Sequence, residues 1–206
     1  MNTIKSFLAA LIVGLMLVPQ LATAKSLDAT AAAAGEPDTA SEEKARNFFT
    51  DLEVIDQNGE RLRFYTDVIK DKVVLISFIF ASCEDACPMI AQKLNQTRQL
   101  MVPAIKDDVW FVSITVDSAN DTPEDLKEFA RKQGVNEDRW LFLTGDQRNV
   151  NTIIHKLGQY TKEITGHSTM MLAGNAVTRH WTRVLPMTPP SGIALQMREL
   201  AEESKR

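Results

Sequence analysis

An apolar run from Val73 to Phe80, broken only by Ser77, constrains the fold more than any other feature of the chain. It is rich in β-branched residues and apolar on both sides. That pattern is typical of a strand buried between two layers of helices. The run leads directly into Ala81-Ser82-Cys83. The sequence therefore predicts a central buried strand with a cysteine just beyond its carboxyl end.

The segments around this strand predict further strands and helices in an alternating order. We expect strands at Asp51–Ile55, Arg61–Tyr65, Val109–Val116 and Leu141–Leu143, with a turn at 56–59. We expect helices from Pro88 to Met101, from Thr122-Pro123 to Gly134, and at Asn149–Leu157. A hairpin that turns at Gly174-Asn175 and a closing helix, Ser191–Glu203, complete the chain. This order predicts an α/β thioredoxin-like fold with an added N-terminal β-hairpin and a mixed central sheet.

The first 24 residues have the pattern of a secretory signal peptide. Lys5 supplies a positive charge, Phe7 to Val18 is apolar, and Ala22-Thr23-Ala24 is a small-residue cleavage site. An uncleaved anchor in the inner membrane, facing the periplasm, is the alternative. Residues 25–47 are read as a flexible tether and residues 48–206 as the folded domain. The sequence thus predicts a periplasmic protein.

The charge of the chain excludes one class of partner. Its 206 residues carry 23 Lys and Arg against 27 Asp and Glu, for a net charge of −4, and no basic cluster stands out. Nucleic-acid binding needs a basic footprint, so we expect no nucleic-acid partner.

The two cysteines, Cys83 and Cys87, call for a chemical explanation more than a structural one. A loop of four residues constrains little chain, so a disulfide here would stabilise the fold only weakly. Structural zinc and iron–sulfur sites usually take four protein ligands, and the chain has no second pair of cysteines. Thiolates are soft ligands that select Cu(I), which accepts two or three of them. The pair can also form a reversible disulfide.

Three histidines could supply an imidazole to such a site. His167 precedes the predicted hairpin, in a loop that approaches the cysteine turn in a thioredoxin-like fold. His155 falls in a short helix and His180 in a strand, where surface or structural roles are favoured. Met170 and Met171 are read as packing residues. For Asp117 and Asp121 we favour strand-end and helix-capping roles, with Asp117 also a candidate outer-shell partner of the site.

Three motifs resemble those of the Sco/SenC family, in the same order along the chain. Phe80-Ala81-Ser82-Cys83-Glu84-Asp85-Ala86-Cys87-Pro88 resembles its CxxxCP motif. The segment 115–123 resembles its SVDPxxDTP segment, and Gly166-His167-Ser168 resembles its Asp-His-Ser. The resemblance covers roughly Phe48 to Glu203.

The resemblance implies one copper ion per chain, as Cu(I) or Cu(II), bound by Cys83, Cys87 and His167. It implies a part in assembling cytochrome c oxidase, with the copper-bearing subunit or another periplasmic copper or thiol client as partner. In that role the protein is a metallochaperone, with no catalytic turnover. The alternative is a thiol–disulfide oxidoreductase in which Cys83 and Cys87 are the redox-active pair. The acids Glu84 and Asp85 oppose thiolate formation and so favour the copper role.

Overall fold

The apolar run that begins at Val73 forms a strand that is buried along its whole length. In the computed structural model, which describes residues 39–135, 138–163 and 169–205, this strand spans Val73–Ile79 and has a neighbour on each side. The described residues fall within one compact unit, Pro37–Arg206. None of the helices among them is long and apolar enough to cross a bilayer.

The strands and helices of the described residues alternate much as predicted. In chain order the strands are β1 (Glu53–Asp56), β2 (Arg61–Arg63), β3 (Val73–Ile79), β4 (Val109–Thr115), β5 (Trp140–Thr144), β6 (Met171–Asn175) and β7 (His180–Val184). The helices are α1 (Thr39–Phe49), α2 (Ala86–Leu100), α3 (Pro103–Lys106), α4 (Pro123–Lys132), α5 (Gln147–Lys156) and α6 (Pro190–Glu203). A π-helical segment, Phe64–Ile69, follows β2. That segment, α1 and α3 were not predicted.

These strands form a single mixed sheet in the order β2-β1-β5-β4-β3-β6-β7. β3, β4 and β5 run parallel, whereas the hairpin of β1 and β2 and the hairpin of β6 and β7 join the sheet in antiparallel fashion. The predicted α/β class, the mixed sheet and the added N-terminal hairpin are therefore confirmed. Parallel neighbours also bring their carboxyl ends to one edge, where ligands bind in open α/β sheets.

The sheet is covered on both faces, as its doubly apolar central strand requires. Alternate residues of β3 point to opposite sides, so that Leu75 joins one core and Ile76 the other. The first core contains apolar side chains of α2, α4 and α6, and the second those of α1, α5 and the π-helical segment. Cys87 belongs to the first core.

Residues 39–47, which we assigned to a flexible tether, lie instead in helix α1. Arg46 contacts Asp51 and donates a hydrogen bond to the Thr66 hydroxyl at 3.0 Å. Phe49 is buried, with its ring centroid 4.7 Å from that of Trp181. The sequence of this segment shows no amphipathic periodicity because few of its side chains reach the core. Contacts to residues distant in the sequence stabilise the helix, and no local pattern reports them.

The hairpin of β6 and β7 turns at residues 176–179, two residues later than predicted. Gly174 and Asn175 belong to β6. The Asn175 side chain accepts hydrogen bonds from the backbone N–H groups of Val177 and Thr178, at 2.9 and 3.2 Å. Gly174 faces Trp181 across the ladder. Gly174 thus allows β6 and the Trp181 ring to approach closely. Asn175, the last residue of β6, stabilises the turn that follows it.

Candidate metal and redox site

The two cysteines lie where the chain passes from β3 into α2. Residues 80–85 form the connection, and the backbone N–H of Cys83 donates a hydrogen bond to the Phe80 carbonyl at 3.2 Å. Helix α2 begins at Ala86, two residues earlier than predicted, because proline is tolerated in the first turn of a helix. Cys87 is therefore in that first turn, whereas Cys83 remains in the loop.

A hydrogen bond brings the two cysteines together. The backbone N–H of Cys87 donates to the sulfur of Cys83 at 3.3 Å, and neither cysteine is in a disulfide. Cys83 is partly exposed, whereas Cys87 is fully buried beneath it. An approaching metal ion or thiol therefore meets Cys83 first.

The environment of Cys87 favours its neutral form. Burial raises the pKa of the Cys87 thiol to about 12, and its hydrogen bond to Cys83 acts in the same direction. In the metal-free dithiol form, Cys87 is therefore protonated at neutral pH. Metal binding would have to displace that proton, so uptake is coupled to proton release.

The acids between the cysteines face solvent. Glu84 and Asp85 are both exposed. Asp85 stands at the N-cap position of α2, but its side chain makes no capping hydrogen bond. The two carboxylates are thus free to lie near an incoming cation.

A buried aspartate from the next connection supports the cysteine loop. One carboxylate oxygen of Asp121 accepts a hydrogen bond from the Ala81 N–H at 2.9 Å and another from the Thr115 hydroxyl at the end of β4. We expected Asp121 to cap a helix, but the N-cap of α4 is Thr122, which forms a capping box with Asp125. The motif at 115–123 includes Asp121, but the sequence does not indicate that its carboxylate binds the Ala81 N–H.

Asp117 has the strand-end role that the sequence predicts. Its side chain accepts a hydrogen bond from the Asn120 amide at 2.8 Å, and its carbonyl accepts from the N–H groups of Asn120 and Asp121. It shapes the turn that carries Asp121 back toward the sheet.

The third predicted ligand, His167, is in residues 164–168, which lie outside the described part of the chain. Of the other two histidines, His155 is exposed and stacks on Tyr160 with ring centroids 4.3 Å apart. His180 lies 2.7 Å from a carboxylate oxygen of Glu203. Among the described residues no three His, Cys, Asp or Glu side chains cluster as a metal site would require. Met171 is buried in the first core, as predicted.

The described residues that precede 164–168 lie near the edge of the sheet that carries the cysteine loop. Tyr160 and Thr161 line a small cavity with Val116, which directly follows β4. The described residues that follow 164–168 enter β6, where Leu172 pairs with Ile76 in the middle of β3.

A family model described as SCO1/SenC matches residues 40–202, which is most of the chain. The chain belongs to the SCO1/SenC family. The match begins within α1, so the helix that we misassigned to the tether is part of the family domain.

Individual relatives agree with this assignment. A SCO2-like protein of Rickettsia felis is 33% identical over 116 residues, which are 56% of this chain and 54% of that protein. A protein of Stutzerimonas stutzeri described as a putative copper-binding protein is 27% identical over 107 residues, 52% and 50% of the two chains. The chain thus spans about half the length of the curated relatives it matches.

Among solved structures, the chain is similar to BsSco, described as a Sco-family cytochrome c oxidase assembly protein with a disulfide switch. The two share 25% identity and a TM-score of 0.62, over 74% of this chain and 92% of that one. This likeness confirms the predicted thioredoxin-like fold.

Proposed function

We propose that this protein is an exported copper-binding protein that delivers copper to a respiratory copper site during cytochrome c oxidase assembly. The observation that carries the proposal is the pair of cysteines at the sheet edge, neither in a disulfide, one partly exposed and one buried, joined by the hydrogen bond from the Cys87 N–H to the Cys83 sulfur. Two thiol ligands brought together in this way suit a soft ion such as Cu(I). Family membership and the description of the Stutzerimonas relative support the same ion.

In this proposal His167 completes the donor set. Tyr160 and Thr161, which precede its segment, line a cavity with Val116 at the edge of the sheet that carries Cys83, and this supports the role of His167. His155 and His180 are engaged elsewhere, with Tyr160 and Glu203. One copper ion per chain follows from a single pair of cysteines.

We also propose that residues 1–24 direct export to the periplasm, where the client is the copper-bearing subunit of cytochrome c oxidase or another copper or thiol protein. A metallochaperone of this kind exchanges copper through a protein–protein contact. The exposed acids Glu84 and Asp85 place negative charge beside Cys83, which favours the cation while it is held.

The second candidate is a thiol–disulfide oxidoreductase, and the unequal exposure of the two cysteines favours it. The exposed Cys83 sulfur would attack a client disulfide, and Cys87 would then displace the client. The client disulfide gains two electrons and becomes a dithiol, while Cys83 and Cys87 become a disulfide. The raised pKa of Cys87 makes it a slow attacking group until a base removes its proton.

Anaerobic copper titration of the reduced full chain tests the copper proposal. We expect one Cu(I) per chain and, with Cu(II), a sulfur-to-copper charge-transfer band. Cys83→Ser should abolish both. His167→Ala should weaken binding by more than the about 10- to 100-fold that loss of an outer-shell partner costs. The control His155→Ala should bind as the wild type does.

The titration also separates the two candidates. Absence of Cu(I) uptake by the reduced wild type would overturn the copper role. Rapid exchange with an oxidised dithiol peptide, unchanged in His167→Ala, would then establish the oxidoreductase instead.

A further inference from the structure

Asp121 joins the carboxyl ends of three parallel strands at one point. Its carboxylate binds the Thr115 hydroxyl of β4 and the Ala81 N–H in the connection after β3. Its backbone carbonyl accepts a hydrogen bond from the Thr144 hydroxyl of β5 at 2.7 Å. Asp121 thus contacts two strand ends through its carboxylate and the third through its backbone carbonyl.

The carboxylate is buried and is held by hydrogen bonds without an ion pair. The residue is 5% exposed, and none of the salt bridges among the described residues includes it. A buried carboxylate without a cation is unfavourable unless hydrogen bonds compensate for its lost hydration. The position of the Asp121 carboxylate is therefore set by its hydrogen bonds to the Ala81 N–H and the Thr115 hydroxyl, and not by an ion pair.

The cysteine loop packs against the first core through Phe80, Ala81 and Cys83, and the Asp121 carboxylate adds a hydrogen bond that ties it to the end of β4. Ala81 is two residues before Cys83, and the hydrogen bond from the Cys83 N–H to Phe80 lies within the loop itself. Beside the loop is a cavity of about 300 Å³ whose lining includes Ala81, Ser82 and Asn120. If the Asp121 contact were lost, the loop would have room to move into this space.

We propose that Asp121 is the positioning residue of the cysteine pair. By holding the Ala81 N–H against the end of β4, it keeps the Cys83 sulfur next to the Cys87 N–H, in the arrangement that takes up a soft metal ion. The inference deepens the proposed function and, for its metal readout, rests on it.

Two substitutions separate hydrogen bonding from charge. Asp121→Ala removes the acceptor, whereas Asp121→Asn keeps a carbonyl oxygen of the same reach without the charge. Asp108→Ala is the matched control, because it removes an exposed aspartate that pairs with Lys205 just before β4, at the opposite end of the strands from the cysteine loop. Each variant is compared with the wild type as the reduced full chain, and circular dichroism confirms that it is folded.

The first readout is Cu(I) affinity, measured by competition with a chromophoric chelator. We expect Asp121→Ala to lose about 10- to 100-fold in affinity, as for other outer-shell partners. Asp121→Asn should restore binding to near the wild-type value, and Asp108→Ala should not change it. Wild-type affinity in a folded Asp121→Ala would overturn the proposal, as would an Asp121→Asn that binds as weakly as the alanine variant.

The second readout does not involve copper. The rate at which Cys83 reacts with an aromatic disulfide reagent should rise severalfold in Asp121→Ala and return to the wild-type rate in Asp121→Asn. If the wild type takes up no Cu(I), the copper role fails, but the reaction rate of Cys83 still tests the positioning role of Asp121. A rate that is unchanged in Asp121→Ala would overturn that positioning role. If Asp121→Ala does not fold, Thr115→Val removes one of the two hydrogen bonds and is judged by the same readouts.

Discussion

At the scale of single residues, the site depends on partners that come from other elements. The spacing of Cys83 and Cys87 places them in one turn of chain, but the hydrogen bond between them requires the loop to be held. Asp121, which sets that loop, is 40 residues from Ala81 in sequence. The motif 115–123 identified the residue, whereas only the fold identifies what its carboxylate binds.

Gly174 shows the same dependence in the core, where it lies opposite Trp181. A Cβ atom at this position would be 2.2 Å from the Trp181 ring. We expect Gly174→Ala to lower the free energy of unfolding by about 1–3 kcal/mol, because the Trp181 ring, which packs on Phe49, must shift to make room for the methyl group. Urea unfolding measures the change.

Gly192→Ala is the matched control for this substitution. Its Cβ would lie 3.2 Å from the Thr188 methyl group, which would have to shift by only a few tenths of an ångström, and within helix α6 alanine is favoured over glycine by up to about 1 kcal/mol. We expect the urea unfolding midpoint of Gly192→Ala to be unchanged or slightly higher than that of the wild type. Equal losses in both variants would contradict the role that we assign to the Trp181 contact.

At the scale of elements, helix α1 is the clearest departure from the prediction. Its last turn is tied to the π-helical segment through Asp51, which accepts hydrogen bonds from the Thr66 N–H and hydroxyl, both at 2.8 Å, and also contacts Arg46. A second link joins Lys70 to Glu42 at 2.7 Å. The helix belongs to the domain because of these contacts, and not because of its own amphipathic pattern.

Asp51→Ala should loosen this attachment in a pH-dependent way. Burial opposes the shift, but hydrogen bonds from Thr66 and the charge of Arg46 hold the pKa of Asp51 below its ordinary value of 3.8. The stabilisation is therefore present above that value and is lost as the pH falls through the lowered pKa. We expect a loss of about 1–3 kcal/mol at neutral pH that shrinks in acid.

Urea unfolding of wild type and Asp51→Ala at neutral pH and well below the ordinary carboxyl pKa measures this difference. Glu53→Ala is the control, because Glu53 forms an exposed pair with Arg61, and we expect a change within about 0.5 kcal/mol. A difference between wild type and Asp51→Ala that stays constant with pH would rule out the carboxylate as its source.

At the scale of the whole molecule, the sheet order explains why one edge carries the site. β3, β4 and β5 run parallel and end together, so the cysteine loop, the Asp121 turn and Thr144 meet there. The two antiparallel hairpins extend the sheet on either side. Residues 1–38 lie outside the described part of the chain, so the assignment of 1–24 as a signal peptide stays a prediction.

Expression of the full chain in a Gram-negative host tests that assignment. We expect the protein in the periplasmic fraction, with an intact mass that begins at Lys25, because a positively charged start, an apolar run and a small-residue site direct export and cleavage. Deletion of residues 2–24 should retain it in the cytoplasm. A full-length mass in the membrane fraction would instead establish the uncleaved anchor.

The sequence by itself determined the features that depend on neighbouring residues. The apolar run at 73–80, the Thr122 cap and the glycine in the 56–59 turn all specify local backbone geometry, and the structure confirms each. The spacing of the cysteine pair is local in the same sense, since four residues of chain keep its members within one turn, whereas its use as a metal or redox site stays a prediction.

Only the tertiary structure decided the contacts that bridge separate elements. Three such contacts are the docking of α1, the close approach of Gly174 to Trp181 and the hydrogen bond from Ala81 to Asp121. They depend on strand order and register, which the periodicity of a single segment does not encode. Hydrogen bonds and packing across strands arise once the sheet brings distant residues to one edge. For that reason the sequence places Asp121 in a motif, but only the tertiary structure shows that its carboxylate binds the cysteine loop.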